Sequence, residues 1–496
     1  MKTVKTVVNK NFQKGNISPL LFGSFAEHMG RVIYTGIYEP DNKLADEDGF
    51  RKDVLSAVKE SGISVVRYPG GNFVSTYCWE DGVGPREKRP VRLDPAWRSI
   101  ETNQFGTDEF MKWVKKAGVE PMLAVNLGTR GIEEAIRYLE YCNIPSGSTC
   151  SNMRIENGIK DSYDVKYWCL GNEMDGKWQV GHKTAYEYGR LAAETSKAMK
   201  AIDPGVKTIL CGSSLSSMPT FPDWEIEALD LTYDFVDYIS LHQYYGGQDK
   251  GTEAFLSQAD NLADFIDTVA SVIKVTKAKK RSKHDIQISL DEWGVWTRPS
   301  ENTVEESEAH RWQIAPAISE MIYSFQDALL FSGMLMMMIK KSDIVKLACQ
   351  SLIANISSMI MTEKDGGLWY QTIYEPFKYM ASHSRGTVLE EVTDDHSGML
   401  QAVTLYNSDD GCVYCYAINR SINEKIELNL DLQGFEAEKI VEHVQLHHKD
   451  VEATNEKDHD NVRLEKVDES AIIGGNVVIN LESLSWNGIC IKVTEK

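Results

Sequence analysis

No segment of this 496-residue chain stays apolar long enough to cross a bilayer. The most apolar run, Ala328 to Ile339, falls short of the roughly 20 residues a spanning helix needs. Basic residues are the minority, 53 against 73 acidic, for a formal charge of −20. Phosphate backbones and anionic membrane surfaces both demand clustered Lys and Arg, so neither nucleic acid nor membrane is an expected partner. Cysteine is sparse and unpatterned: nine thiols, an odd number, without disulfide-like spacing. Cys412 and Cys415 form a CxxC, but inside the strand-like GCVYCYAINR, where positions three apart face opposite sides. The opening MKTVKTVVNKNF lacks an apolar leader core and a small-residue cleavage site. A cytoplasmic location with reduced thiols is the expectation.

Several short motifs are missing as well. There is no HExxH, no GxxxxGK[ST] and no GxSxG, which argues against metalloprotease, kinase and esterase chemistry. No GxGxxG turn follows the first strand, which argues against an open dinucleotide-binding sheet. His443, His447 and His448 cluster in HVQLHHKD without a carboxylate motif, and read as a solvated face.

What the chain does have is a regular alternation. Strand-like runs occur at LLFGSFAE, VVRYPGG, EPMLAVNLG, DVKYWCLGNE, KTILCGSS, DYISLHQYY, IQISLDEW and ALLFSGMLMMMI, separated by helical stretches such as TAYEYGRLAAETSKAMKAIDP. Strands alternating with helices pair in parallel, and eight such units predict an α/β fold, a closed (β/α)8 TIM barrel. The Met-rich eighth run reads as barrel-strand packing. Beyond about residue 385, runs such as MLQAVTLYN, KIELNLDL and ICIKVTEK alternate with turns and predict an accessory antiparallel β-sandwich domain. The expected division is an N-terminal strand in 1–18 that joins the sandwich, a barrel in 19–380 and the sandwich in 381–496. The charged run KDVEATNEKDHDNVRLEK reads as an exposed loop.

Two glutamates stand where apolar strands run out, Glu173 after DVKYWCLGN and Glu292 in IQISLDEW. Catalytic groups of such barrels sit at the C-terminal strand ends. The same rule gathers Glu27, Arg67, Asn72, Asn126, Asn172, His242, Tyr244 and Trp296 on one rim. Paired carboxylates there suit splitting an acetal, one attacking and one donating a proton. Arg67 is suited to holding Glu292 as a carboxylate, and a nearby charge with partial desolvation would keep Glu173 protonated. Trp97, Trp178 and Trp296 offer flat faces for sugar C–H surfaces.

These residues lie in stretches that closely resemble the α-L-arabinofuranosidases of glycoside hydrolase family 51. They include FGSFAEHMGR, VVRYPGGNFVSTYCWEDGVGPREKRP, AWRSIETNQFGTDEF, WCLGNEMDGKWQVGHK, YISLHQYYG and SLDEWGVW. The resemblance implies a barrel with a sandwich and a retaining, exo-acting mechanism, with Glu173 as acid/base and Glu292 as nucleophile. It implies that Glu27, Asn72, Asn172 and Tyr244 bind the terminal furanose of a small oligosaccharide, with Trp97 and Trp296 lining the site. It also implies a cytoplasmic homohexamer without metal or cofactor, acting in arabinan catabolism and hemicellulose degradation. The chain departs from the family pattern at Gly294, at Met336 aligned to the end of strand 8, and at Leu352 aligned to the following helix in place of a sugar-contacting Gln. Those departures leave open another furanoside, a β-xyloside or a β-glucan as substrate. A catalytically silent sugar-binding barrel is the reading from a different class, opposed by the intact glutamates.

Overall fold

The computed structural model describes residues 1–297 and 300–496. Its barrel strands are β1 (Gly23–Phe25), β2 (Val65–Tyr68), β3 (Glu120–Val125), β4 (Tyr167–Leu170), β5 (Lys207–Cys211), β6 (Tyr238–Tyr245), β7 (Gln287–Val295) and β8 (Val345–Ser351). They hydrogen-bond in that order, and β8 returns to β1 to close the barrel. All pairs are parallel, so each connection must cross back over the outside, and helices do so. The helix Ala185–Ile202 between β4 and β5 shows how the sequence builds one. Thr184 accepts from the Glu187 amide in a capping box, and the face carrying Tyr188, Ala192 and Met199 is buried. Strands covered on both faces should be apolar throughout; Tyr167, Trp168, Cys169 and Leu170 of β4 are all buried.

The predicted eighth strand is not a strand. Phe325–Lys340 is a helix, capped by Ser324 accepting from the Asp327 amide, with every residue from Phe325 to Ile339 buried. Strand 8 is the next segment, VKLACQS. A run that is apolar on every side carries no periodicity to separate helix from strand. Its length and its Leu, Met and Ala content favour helix, and β-branched residues are nearly missing. Trp293 on β7 packs against Phe331 of this helix at 4.7 Å between ring centroids. Met336 therefore lies in a buried helix, not at a strand end, and Leu352 sits one residue past β8, not in a helix.

The C-terminal strands form one ten-stranded sheet that includes Lys2–Asn16 from the N-terminus. That strand runs antiparallel to Thr387–Thr393 and parallel to Ile426–Gln433, an exception to the expected antiparallel pattern. Val4, Val8, Val413, Cys415, Leu428, Ile479 and Ile491 make a core separate from the barrel's. Along the strand Cys412–Asn419 side chains alternate: Val413 and Cys415 face that core, whereas Cys412 and Tyr414 belong to the barrel-side core. All nine cysteines are free thiols.

One expectation for this region is corrected. His443 is buried rather than solvated, and bonds Asn487 at 3.1 Å through Nε2. The run from Lys449 to Lys466 is mostly exposed and loop-like, as expected, but its backbone also docks on the barrel. Carbonyls of Ala453 and Val451 accept from the amides of Phe325 and Gln326, satisfying the first turn of the buried helix. Charge along a segment describes its side chains and says nothing of where its backbone carbonyls point. Among the described residues no helix is long and apolar enough to cross a membrane.

The helix assignment has a measurable consequence. Leu335 is fully buried, so Leu335→Ala should cost about 2–5 kcal/mol in denaturant unfolding. An unchanged midpoint would mean that this helix does not pack against the core as described.

Candidate active site

Two neighbouring strands set the nucleophile side of the rim. Glu292 on β7 lies opposite His242 on β6, and Gly294 opposite Tyr244. The register slips by one residue between Ser289 and Glu292 against β6, and between Leu290 and Trp293 against β8. This bulge overrides the two-residue alternation and turns both Asp291 and Glu292 toward polar partners inside the barrel mouth. Arg67 on β2 meets them. Its Nη1 donates to Glu292 Oε1 at 2.6 Å and its Nη2 to Asn172 Oδ1 at 2.6 Å. Its Nε lies 3.6 Å from Asp291 Oδ2, too far for a hydrogen bond but close enough for strong attraction in a buried site. Tyr244 donates its hydroxyl to Glu292 Oε2 at 2.9 Å and shares a 2.6 Å hydrogen bond with Ser351. Glycine is required beside them, because a Cβ at position 71 would lie 2.8 Å from Glu292 Oε1.

Glu173 follows β4 with φ +45°, a left-handed conformation that a glutamate rarely holds. Its carboxylate contacts His242 Nδ1 at 3.0 Å and accepts from the half-exposed Trp178 indole N–H at 2.6 Å. Carboxylate oxygens of Glu173 and Glu292 and the His242 Nδ1 all lie within 4.8 Å of one another. Burial raises the Glu173 pKa above the usual carboxylate range and the Glu292 charge adds to it, against hydrogen bonds from His242 and Trp178. Burial alone would push the His242 imidazole down. The Glu292 charge and hydrogen bonds to Asp291 and Glu173 outweigh it and lift the group to about 10.

A third carboxyl faces the first two. Glu27 follows β1, and its Oε1 accepts from the Phe73 amide at 2.9 Å and from the Trp97 indole at 3.0 Å. Burial, then the Glu292 charge, lifts its pKa to about 8. At neutral pH it is a neutral acid that can both donate and accept. Trp97 is itself fixed by Asp94, which accepts from the Trp97 amide at 3.0 Å.

Between these groups lies a cavity of about 250 Å³, lined by Glu27, Asn72, Trp97, Glu173, Tyr244, Glu292, Trp296 and Leu352 among the predicted residues. Arg67, Asn172 and His242 stand behind its wall, each no more than 3% exposed. Asn126 is elsewhere: its side chain organises the loop after β3, accepting from the Gly128 and Thr129 amides at 3.0 Å. Met336 is likewise outside the site. At Gly294 a Cβ would meet Ser357 Oγ at 3.5 Å, ordinary contact, so the missing side chain leaves room rather than relieving a clash. Sequence reasoning missed Asp291, Ser351 and the apolar lining residues Phe25, Met29 and Leu215. Asp291 adjoins Glu292, and alternation would have sent it to the other face; only the bulge brings it in.

Comparison with known proteins gives a consistent picture. A profile described as alpha-L-arabinofuranosidase 1 domain matches residues 57–265, and one described as alpha-L-arabinofuranosidase C-terminal domain matches residues 291–485. An intracellular exo-alpha-(1->5)-L-arabinofuranosidase from Acetivibrio thermocellus is 48% identical, over 99% of this chain and 100% of that protein. One from Bacillus subtilis is 45% identical over 99% of each. Among solved structures, a family 51 alpha-L-arabinofuranosidase from Bifidobacterium longum superposes with a TM-score of 0.93 at 37% identity, covering 99% of this chain and 100% of that one. An arabinose complex of the Thermotoga maritima alpha-L-arabinofuranosidase gives 0.87 at 33% identity, with 100% of both chains covered.

Removing the guanidinium would strand two buried carboxylates. Arg67→Met should therefore lose about 3–5 kcal/mol of stability near neutral pH. Arg67 holds the folded-state pKa of Asp291 low, and the stability this contributes is lost as pH falls, so the deficit should shrink toward acid pH. Chemical denaturation at pH 7 and pH 5 checks the sign; a deficit that grows toward pH 5 contradicts it.

Proposed function

Because this chain belongs to the α-L-arabinofuranosidases of glycoside hydrolase family 51, we propose that it is a retaining exo-glycosidase. It removes terminal non-reducing α-L-arabinofuranosyl residues from arabino-oligosaccharides or arabinoxylan fragments. The observation that carries the mechanism is the approach of the Glu173 and Glu292 carboxylate oxygens to within 4.8 Å. Retaining enzymes hold the pair about 5 Å apart, whereas inverting ones leave room for a water between them. A cavity of about 250 Å³ lined by Trp97 and Trp296 suits one terminal ring better than a chain threading through.

In the first step a Glu292 oxygen attacks the anomeric carbon as the glycosidic C–O bond breaks. Glu173 gives its proton to the departing oxygen, and the sugar is held as an ester on Glu292. In the second step Glu173, now a carboxylate, takes a proton from water; the water oxygen attacks the same carbon and Glu292 leaves. Esterification removes the Glu292 charge, one cause of the raised Glu173 pKa, so the same residue becomes fit to act as base. Tyr244 and Arg67 hold Glu292 in line, and neutral Glu27 with Asn72 receives the sugar hydroxyls. Intracellular arabinan or hemicellulose breakdown and a homohexameric assembly belong to the same proposal, supported by the relatives' intracellular names and by the sequence resemblance. Relatives are named for both (1->5) and (1->6) linkages, and a panel of linked arabino-oligosaccharides decides between them here.

The glutamate roles are tested separately. Glu292→Ala should abolish turnover, and azide should restore only product of inverted configuration, because the nucleophile is replaced from the vacated face. Glu173→Ala should lose far more first-step rate with poor leaving groups than with activated aryl glycosides, which depart without a proton. Wild-type-like turnover in the first variant, or equal pre-steady-state losses across leaving groups in the second, removes the assignment.

Leu352 gives the specificity test. It lines the cavity beside Phe25 and Met29, where an amide would offer hydrogen bonds to a sugar hydroxyl. Leu352→Gln should raise the kcat/KM preference for arabinofuranosides over xylosides, on the order of tenfold. An unchanged ratio would show that residue 352 does not read the terminal sugar.

A further inference from the structure

One buried carboxylate has no part in the reaction just described. Asp291 is 1% exposed and does not line the cavity. Its Oδ1 accepts a hydrogen bond from Ser240 and lies 3.3 Å from His242 Nε2, and its Oδ2 lies 3.6 Å from Arg67 Nε. Each of those two cations reaches forward to a glutamate on its far side. Arg67 donates to Glu292, and His242 contacts Glu173 at 3.0 Å and stands 3.6 Å from Glu292 Oε2. Resting on the glutamate roles proposed above, we infer that Asp291 is a positioning residue. It fixes the charge and ring orientation of His242 and the reach of Arg67, so that one side chain the substrate never meets sets up both catalytic carboxylates.

The groups around Asp291 support this role. Arg67 faces it from β2, Cys169 from β4, Cys211 from β5, His242 and Ser240 from β6, and Cys349 from β8. Burial raises all three thiols, Cys211 to about 12, so at working pH they stay uncharged. Among the described residues, the side chains in direct contact with the Asp291 carboxylate are Arg67, His242, Ser240 and the Cys169 thiol. Burial would raise its pKa, but the Arg67 charge and the His242 contact outweigh this and hold it low. Around His242 the charged neighbours are Glu173 after β4, Asp175 in the same loop, and Asp291 and Glu292 on β7. Removing the Asp291 charge would leave His242 with less reason to keep its proton. Its Nε2–H would lose its anchor, and the ring would be free to turn away from Glu173. A carboxylate behind a histidine that fixes tautomer and orientation is an economical device, since the histidine needs both nitrogens held to serve both glutamates.

The test is the titration of His242 itself, in wild-type protein and in Asp291→Asn. Ring signals of isotope-labelled histidine report it, with His242 assigned by the signal lost in His242→Gln. In the wild type His242 should stay an imidazolium from pH 5 to about 9, given its lift to about 10. In Asp291→Asn the midpoint should drop by about 1 to 3 pH units, and kcat/KM should fall on the order of 100-fold while thermal unfolding confirms a folded protein. A neutral His242 at pH 7 in the wild type overturns the inference without need of any variant, and so does an unshifted titration in a folded Asp291→Asn. Because the titration involves no turnover, its failure is separable from failure of the glutamate roles.

Discussion

The Arg67 guanidinium, buried to 1% exposure at the barrel mouth, is the contact on which the site depends. It bonds Glu292 and Asn172 and attracts Asp291. Three strands must therefore be in register for its two Nη groups to find partners: β2, which carries it, β4 with its following loop, and β7. An unpaired cation in such a place would cost more than most single interactions in a protein contribute. The arrangement also explains why a buried ionic cluster is tolerated: every charge in it has a partner within reach.

From that fixed centre, the other groups take their chemistry from what surrounds them. Glu173, Glu27 and Glu292 share one cavity, yet their neighbours differ. Glu292 receives a guanidinium and a tyrosine hydroxyl. Glu27 receives an amide and an indole N–H and is buried more than it is compensated. Glu173 lies between an imidazolium and an indole, in a backbone conformation with φ +45° that the GNE turn after β4 imposes. Three identical side chains are separated into a charged group, a neutral hydrogen-bonding acid and a proton carrier by burial and partners alone.

The second sheet packs against the outer helices of the barrel. Helix Phe325–Lys340 lies between the two cores, with Trp293 on the barrel side and Gln401 of the sheet bonding the Gly333 carbonyl at 2.7 Å. Arg420 of the sheet reaches Asp260 in the barrel's longest helix at 2.6 Å. A helix buried on all sides needs its end groups satisfied by other segments, and the 451–453 backbone supplies them. The charged, largely exposed run is in this way also part of the support for strand β7.

Much of this was legible from the residues in order. Alternation of strand and helix specified the parallel barrel because parallel neighbours leave no other way back. Glutamates at the ends of apolar runs marked the rim because strand ends are where a barrel opens to solvent. The sequence resemblance added the retaining, exo-acting mechanism and the furanose-binding roles of Glu27, Asn72, Asn172 and Tyr244. Tertiary structure alone decided three things. It made Phe325–Lys340 a helix, because a run apolar on all faces has no period to separate helix from strand. It brought Leu352 to the cavity from the end of β8 once the true eighth strand was in place. And it turned Asp291 inward, because a one-residue slip between adjacent strands leaves no mark in the sequence of either.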